Sequence, residues 1–328
     1  TGLDKTVFHK IIDTIQNKKV LISGSWSLQR QQYGEQPHWM IVVLAAMIGQ
    51  IGQPGGGFGL GYSAENGIGN PVKHFKWPAL NQFKNLITDF IPVARYSDML
   101  LNPGKNFTFN GQTYQYPNIK LVYWAGGNPF HHQMNLSKLR KATFKPDTII
   151  TNEIWWNSLA RHADIIFPTT TTLERNDIGF RHWEQTVSPM HKAIDPIGNS
   201  RNDFDIFSLI SEKLGIKEQF TENKNEEEWL KTLWDEAKES ARENNFYLPD
   251  FDQFWNGGFF EVLKPTHEQI LMEDFVKKPE KFPLSNQSKK IEIFSDEVDS
   301  FNYSDCPGHP QWLEPKEWLG SNITKKYP

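Results

Sequence analysis

The spacing of apolar positions along the chain predicts helices and strands in alternation. Residues 4–17 carry apolar side chains three and four residues apart, as on one face of a helix. Residues 19–24 instead form a short apolar run that predicts a buried strand. A second helix is predicted over residues 37–51, because Pro37 suits a first helical turn and glycine follows the last apolar position. A glycine-rich loop is expected at residues 54–61.

Three further apolar runs follow at close intervals, at residues 119–124, 147–151 and 164–167. Helical stretches are predicted between them, over residues 136–144 and 155–162. Strand, helix, strand, helix, strand is the order expected of a parallel sheet with crossover helices. The sequence therefore predicts the α/β class, with a doubly wound parallel sheet that has helices on both faces.

Small or polar residues follow all four predicted strands of this kind. They are Ser23-Gly24, Gly126-Gly127-Asn128, Asn152-Glu153 and Thr169-Thr170. In open α/β sheets, ligands bind outside the carboxyl ends of the strands. The agreement among the four strand ends predicts a site that holds a cofactor.

Four regions are expected along the chain. Residues 1–61 form an α/β cofactor-binding segment with the glycine-rich loop, and residues 62–117 a loop-rich insertion. Residues 118–215 form an α/β dinucleotide-binding region, and residues 216–328 a helical and mixed region, with a surface strand at 290–294. Helices are predicted over residues 203–214 and 226–242. Neither end resembles a natural domain boundary, so we expect an internal piece of a larger enzyme, with a C-terminal domain to follow.

Composition narrows the classes of partner and cofactor. The net charge of −4 argues against a nucleic-acid partner, since such proteins usually present a basic face. A single cysteine, Cys306, cannot hold an iron–sulfur cluster or a disulfide framework. The longest apolar stretch, residues 39–51, is shorter than the ~18 residues that a membrane span needs, so no transmembrane segment is expected.

Individual motifs leave alternatives open. The glycine run at 55–61 follows a helix and lacks the dinucleotide fingerprint, so a turning loop is its default interpretation. Trp26, Ser27 and Arg30 follow a strand end and offer an indole N–H, a hydroxyl and a planar guanidinium, although a solvated loop explains them equally well. The polar residues 174–177 are, on the same grounds, best explained as an ion-paired helix start.

Two further strand ends carry polar side chains that are candidates for ligand binding. Asn128 can donate and accept hydrogen bonds, and the glycines before it allow close backbone approach to a ligand. His131 and His132 are adjacent and no third ligand has a recognisable spacing, so no metal site is assigned. Glu153 stands where an acidic group binds ribose hydroxyls in doubly wound folds.

Longer stretches carry a specific resemblance. Residues 26–37 (WSLQRQQYGEQP) and 44–57 (LAAMIGQIGQPGGG) resemble the molybdopterin oxidoreductases of the dimethyl-sulfoxide reductase type, a group with trimethylamine-N-oxide, dimethyl-sulfoxide and biotin-sulfoxide reductases. Further similar stretches follow in the same order, at residues 125–133, 160–168, 173–177, 201–207, 290–295 and 306–310. The resemblance spans nearly the whole chain and is weakest over residues 62–117.

The resemblance implies a cofactor and a set of residues around it. Its members bind molybdenum between two molybdopterin guanine dinucleotides. By resemblance, Trp26, Ser27 and Arg30 lie beside the cofactor, with Trp26 and Arg30 nearest the substrate and therefore catalytic. The residues expected around one dinucleotide are Asn128, His132, Asn152, Glu153, Arg175 and Asp205. The metal ligand is expected outside this chain, and no iron–sulfur cluster is expected within it.

The implied activity is reduction of an S-oxide or an N-oxide by oxygen-atom transfer. We expect an electron-donor protein such as a cytochrome, and the resemblance favours the periplasm over the cytoplasm. The isolated 328-residue chain is expected to be inactive. The alternatives are another molybdopterin branch, such as a formate dehydrogenase or a nitrate reductase, a nicotinamide-dependent dehydrogenase, and a non-catalytic nucleotide-binding module.

Overall fold

The computed structural model describes residues 3–60, 77–180, 186–261 and 270–327, and within them it is a mixed α/β structure. The helices are α1 (Lys5–Ile15), α2 (Glu35–Ile48), α3 (Tyr96–Leu101), α4 (Pro129–His132), α5 (Leu136–Thr143), α6 (Asp203–Lys213), α7 (Lys217–Thr221), α8 (Glu226–Glu243), α9 (Phe251–Gly257), α10 (Glu273–Lys277) and α11 (Asp296–Ser300). The strands are β1 (Leu21–Gly24), β2 (Gly57–Leu60), β3 (Asn106–Phe109), β4 (Gln112–Gln115), β5 (Leu121–Ala125), β6 (Thr148–Glu153), β7 (Ile165–Pro168), β8 (Asp177–Phe180), β9 (Thr186–Met190) and β10 (Phe260–Glu261). Single 3-10 turns lie at Trp26–Arg30, Val93–Arg95, Ala160–His162 and Asn322–Lys325.

The chain divides into two compact units. The first consists of Thr1–Val72 and Lys264–Pro328, and the second of Lys73–Leu263. Each unit is described by itself below. Residues 61–76, which include the end of the predicted glycine loop and the start of the predicted insertion, lie outside the described ranges. The four-region division drawn from the sequence stays a prediction.

In the first unit, β1 pairs in parallel with β2, from Leu21 opposite Gly57 to Gly24 opposite Leu60. Helix α2 connects the two strands and ends at Gly49, whose φ of 75° suits glycine. The loop expected over 54–61 is therefore wrong for residues 57–60. Gly57 and Gly59 alternate with Phe58 and Leu60, and glycine weakens a strand interior, so the backbone pairing with β1 is what reveals β2.

A strand expected at residues 290–294 does not form. The carbonyl oxygen of Glu292 accepts a hydrogen bond from the indole Nε1 of Trp39 at 2.9 Å. Just beyond this segment, the N–H of Ser295 donates to the carbonyl of Gly308 at 2.7 Å. These backbone groups bond to a side chain and to a distant loop, so the alternating pattern lies on irregular backbone rather than on a sheet edge.

The second unit contains a parallel sheet with the order β5-β6-β7. Helix α5 connects β5 to β6, as the sequence predicts. The helix predicted over 155–162 is reduced to the 3-10 turn Ala160–His162, because the side chain of Asn157 accepts the N–H of Ala160 at 3.0 Å and holds a tight turn. The α/β class with parallel sheets is confirmed.

A second sheet in this unit, β10-β9-β8, is antiparallel and contributes to an aromatic core. Trp234 on α8 is 0% exposed and stacks on Phe254 of α9, with ring centroids 3.7 Å apart. Its Nε1 donates to the carbonyl of Pro249 at 2.9 Å. Helices α6 and α8 confirm the two helices predicted there, and α8 begins with a capping box between Asn225 and Glu228.

No helix in the described ranges has both the length and the apolar character required to cross a membrane.

Replacing Trp234 with alanine is expected to destabilise the chain by about 3–5 kcal/mol, because it empties a fully buried, hydrogen-bonded site. Trp155 is 70% exposed, and its replacement is expected to cost no more than about 0.5 kcal/mol. Urea denaturation of both variants measures the difference. Equal losses would contradict the core assignment.

Candidate functional site

The register of the parallel sheet brings three polar segments to one edge. Ala125 at the end of β5 lies opposite Asn152 of β6, and Glu153 lies opposite Pro168 at the end of β7. The chain leaves the three strands at this same edge because the strands are parallel. The segments 126–128, 152–153 and 169–170 are thereby neighbours, as the pattern of strand ends predicts.

Asn128, which follows β5, carries a buried side-chain donor that is unsatisfied. It is 8% exposed, and its Oδ1 caps α4 by accepting the N–H of Phe130 at 3.1 Å. Its Nδ2 is buried and has no hydrogen-bond partner among the described residues. Gly126 and Gly127 precede it with φ values of 93° and 82°, and both adjoin open space. A buried unpaired donor costs about 1–3 kcal/mol, so this amide fits a ligand that supplies an acceptor oxygen.

Asn152, by contrast, is engaged at both ends of its amide. Its Oδ1 accepts from the hydroxyl of Tyr123 at 2.8 Å, and its Nδ2 donates to Oδ1 of Asp203 at 2.7 Å. Burial, then the nearby Asp203 carboxylate, raises the pKa of Tyr123 and keeps it a proton donor. Asn152 is 3% exposed, and these two hydrogen bonds join β6 to β5 and to the start of α6.

Glu153 shapes the loop that follows β6. One carboxylate oxygen accepts the N–H of Ile154 at 3.0 Å, and the other accepts from Nδ2 of Asn157 at 2.6 Å. His132 ends α4 and is exposed, as is Asp205 in the first turn of α6. These three side chains lie on β6, α4 and α6 of the same unit.

Arg175 lies at a cleft of about 270 Å³ beside this edge. Its Nη1 donates to the carbonyl of Thr170 at 3.2 Å, and its Nε lies 3.5 Å from the carboxylate of Asp177. The polar and aromatic residues that line this cleft include Arg175, Asp177, Asn202, Asp203, Glu226 and Trp229. The helix start predicted at 174–177 is wrong: Asp177 begins β8, and the preceding residues form turns.

Two residues of this cleft were missed by sequence reasoning. Asn202 accepts from the hydroxyl of Thr170 at 2.7 Å and donates through Nδ2 to a carboxylate oxygen of Glu226. Burial, followed by the charge of Asp205, raises the pKa of Glu226, whereas its hydrogen bond from Asn202 opposes the rise. Glu226 is one of three consecutive glutamates, so its sequence carries no signal that distinguishes it.

Glu174 holds the loop that presents Arg175. It is 4% exposed and accepts the N–H and the hydroxyl of Thr171, both at 2.7 Å, and the N–H of Ile197 at 2.7 Å. These hydrogen bonds, the one from the Thr171 backbone first, lower the pKa of Glu174 to about 2. Through these hydrogen bonds Glu174 positions the neighbouring Arg175.

The first unit presents the other predicted site residues. Trp26, Ser27 and Arg30 lie on the 3-10 turn directly after β1, and all three are exposed. Ser25 caps this turn, since its Oγ accepts the N–H of Ser27 at 3.3 Å. No group of three histidine, cysteine or acidic side chains in the described ranges is arranged to hold a metal ion.

Comparison with known proteins places these residues in a family. The family model described as molybdopterin oxidoreductase matches residues 6–213, which is more than half of the chain. The chain belongs to the molybdopterin oxidoreductase family. Membership of this family implies a molybdopterin cofactor, and the orphaned Asn128 amide fits a group rich in acceptor oxygens.

Two curated relatives of the molybdopterin oxidoreductase chain are similar over almost all of its length. A biotin sulfoxide reductase from Cereibacter sphaeroides is 41% identical over 98% of the chain and 43% of the relative. A trimethylamine-N-oxide reductase from Haemophilus influenzae is 41% identical over 100% of the chain and 42% of the relative. The chain therefore spans about two fifths of the length of these relatives.

Among solved structures, the acetylene hydratase from Pelobacter acetylenicus is similar with a TM-score of 0.44 and 16% identity, over 65% of this chain and 26% of that one.

Changing Glu174 to glutamine tests its role in holding the loop. The pKa of Glu174 is lowered from 4.5 to about 2 in the folded chain, so its stabilising effect is present above pH 4.5 and is lost as the pH falls toward 2. We expect the difference in urea midpoint between the original chain and Glu174→Gln to shrink over that range.

The control is Glu212→Gln, which removes an exposed carboxylate whose pKa is lowered by Lys217. It is expected to change the midpoint little at any pH, because exposed ion pairs contribute little. The same pH profile for both variants would show that the Glu174 hydrogen bonds do not stabilise the loop.

Proposed function

We propose that this chain is the central portion of a molybdenum enzyme that reduces S-oxides or N-oxides by oxygen-atom transfer. The support for this substrate class is that both relatives described above, a sulfoxide reductase and an N-oxide reductase, match the chain from end to end. Within that enzyme, the β5-β6-β7 sheet would belong to a doubly wound sheet with helices on both faces.

The proposed cofactor is molybdenum held by two molybdopterin guanine dinucleotides, with no iron–sulfur cluster in this segment. When bound, it supplies a metal that exchanges two electrons with the oxide substrate. Asn128 would donate its unpaired Nδ2 hydrogens to acceptor oxygens of one dinucleotide, beside the open backbone of Gly126 and Gly127. His132 and Glu153 would contact the same dinucleotide from α4 and β6.

The charge of the cleft supports a guanine there rather than a diphosphate. Carboxylates of Asp177, Asp203 and Glu226 line it, and Arg175 is the one basic side chain among its described lining residues. Arg175 is already close to Asp177, which offsets its charge. Carboxylates repel phosphate but accept hydrogen bonds from the N–H groups of a guanine edge, and the exposed carboxylate of Asp205 is suited to the same task.

The turn after β1 would face the reacting end of the substrate. The Arg30 guanidinium can donate two parallel hydrogen bonds to an oxide oxygen and stabilise the charge on it. Trp26 offers a flat wall and an indole N–H beside it, and Ser27 a hydroxyl for the cofactor. Electrons would come from a donor protein such as a cytochrome, and we place the enzyme in the periplasm, both on the resemblance alone.

Replacing Asn128 with aspartate tests the cofactor contact. The new Oδ1 still accepts the N–H of Phe130, so the cap on α4 is kept while the Nδ2 donor is replaced by a charged oxygen. We expect the molybdenum and guanine-nucleotide content of the purified protein to fall by roughly 10-fold or more, since an oxyanion would meet a negative charge.

The matched control is Asn135→Asp, which makes the same change at the cap of α5, where Oδ1 accepts the N–H of Lys138 at 3.1 Å. Its cofactor content is expected to equal that of the original protein. If the two variants retained the same cofactor content, Asn128 would not contact the cofactor.

Replacing Arg30 with alanine tests the substrate role. In the molybdenum-loaded protein that contains this chain, we expect kcat/KM for trimethylamine N-oxide and dimethyl sulfoxide to fall roughly 100-fold with molybdenum content retained. Lysine at this position is expected to restore part of the loss, because it keeps the charge without the planar fork. Gln29→Ala on the same turn is the control.

Unchanged turnover in the alanine variant would overturn the role of Arg30. Oxidation of formate or reduction of nitrate, with no turnover of either oxide, would instead place the protein in another molybdopterin branch. A bound nicotinamide without molybdenum would overturn the proposed function itself.

A further inference from the structure

A second cleft, of about 340 Å³, lies within the first unit. It is formed between the start of α2 and the extended segment 311–315, and Leu28 of the Trp26–Arg30 turn contributes to it. Its volume falls in the range of ~300–1,000 Å³ typical of small-molecule sites. No charged side chain is among its described lining residues.

The backbone at this cleft is tightly built. Tyr33 has a φ of 60°, in the left-handed region that residues other than glycine rarely adopt. A β-carbon on the next residue, Gly34, would lie 2.2 Å from the carbonyl oxygen of Leu28, so only glycine fits there. Such strained positions persist where the surrounding structure fixes them, and they concentrate at ligand sites.

Two glutamines fix the segment around residues 311–316 on one side of the cleft. Oε1 of Gln36 accepts the N–H of Gln311 at 3.0 Å, and Oε1 of Gln32 accepts the N–H of Lys316 at 2.9 Å. The first of these bonds fixes the orientation of the Gln36 amide, because only its oxygen can accept from an N–H. Gln36 is 5% exposed, and its Nε2 is buried without an acceptor in the described part of the chain.

The remaining walls are apolar and aromatic. Tyr33 and Trp312 supply rings, and Met40 lies on the α2 side. The indole Nε1 of Trp312 donates to Oε2 of Glu314 at 3.1 Å, so this ring has its polar atom engaged elsewhere. The cleft thus combines an unpaired amide donor with aromatic surfaces and no charged lining side chain.

We propose that this cleft is a binding site for a small neutral, strongly dipolar oxide, and for an amine oxide more tightly than for a sulfoxide. The oxide oxygen would accept from Nε2 of Gln36, and the positively polarised nitrogen with its methyl groups would lie against the rings of Tyr33 and Trp312. An anion fits less well because no positively charged side chain is among the described lining residues. A hydrocarbon fits less well because it offers no acceptor for Nε2 of Gln36.

This inference rests on the proposed function for the choice of an oxide, but it concerns a site separate from the exposed Trp26 and Arg30 side chains. Leu28 lines the cleft from the same turn. The cleft would therefore hold substrate at a second position, next to the turn that carries those two side chains.

The test is a titration of the ¹⁵N-labelled 328-residue chain, followed at the side-chain amide of Gln36 and the indole of Trp312. Trimethylamine N-oxide is expected to shift both signals saturably and to bind several-fold more tightly than dimethyl sulfoxide, because of its positively polarised nitrogen. Tetramethylammonium has the methyl groups but no acceptor oxygen, and it is expected to bind at least about 10-fold more weakly.

Gln36→Glu keeps an oxygen for the N–H of Gln311 and removes the amide donor, so it is expected to weaken amine-oxide binding at least about 10-fold. Gln32→Glu makes the same change at the neighbouring contact to Lys316 and is expected to alter binding by no more than about 3-fold. Trp312→Leu, at a side chain that is 78% exposed, is expected to abolish the preference for the amine oxide.

Three results would overturn the inference: no saturable shift at Gln36, equal effects of the two glutamate variants, or an unchanged preference in Trp312→Leu. These measurements need no molybdenum, so the result is independent of the enzyme assays. Oxide reductase activity without binding in the cleft would contradict the second binding site and leave the proposed function intact. Binding in the cleft without reductase activity would contradict the proposed function and leave the binding site intact.

Discussion

The parallel pairing of β5, β6 and β7 is the constraint on which the second unit depends. Register fixes which residues leave the sheet side by side, and here Ala125, Asn152 and Phe167 lie across from one another. A one-residue slip would turn each side chain to the other face. This register places Gly126, Gly127 and the unpaired amide of Asn128 next to the polar end of β6.

Polar burial at this edge is compensated by two groups of hydrogen bonds. Tyr123, Asn152 and Asp203 join β5, β6 and α6, and Thr170, Asn202 and Glu226 join the end of β7 to α8. Buried polar networks stabilise a single geometry only when their members are satisfied. The satisfied members hold the geometry of this edge, and the unsatisfied Nδ2 of Asn128 is a position where a ligand would complete the hydrogen bonding.

The first unit also combines satisfied polar groups with one buried amide donor that has no partner among the described residues. One short turn after β1 carries the exposed Trp26 and Arg30, and the residues that follow it build a cleft through Tyr33 and Gly34. Gln36 has its oxygen bonded and its nitrogen unpaired. In both units the candidate ligand contact is thus an amide whose orientation is fixed by one hydrogen bond to the backbone.

The sequence by itself determined the elements that carry a run or a helical spacing of apolar residues. The apolar runs gave β1, β5, β6 and β7, the helical spacing gave α6 and α8, and the polar residues after the strands marked the edge. The resemblance of its motifs to the molybdopterin oxidoreductases was also visible without coordinates, and the family match confirms it.

Only the tertiary structure decided the rest, because periodicity reports side-chain burial and says nothing about distant partners. Strand β2 alternates Gly57 and Gly59 with Phe58 and Leu60, a glycine content that favours a loop. Segment 290–294 bonds to Trp39, 253 residues from Glu292. The donor of Gln36 is left unpaired by a contact across 275 residues. Such hydrogen bonds depend on the folded path of the chain, and no local spacing encodes them.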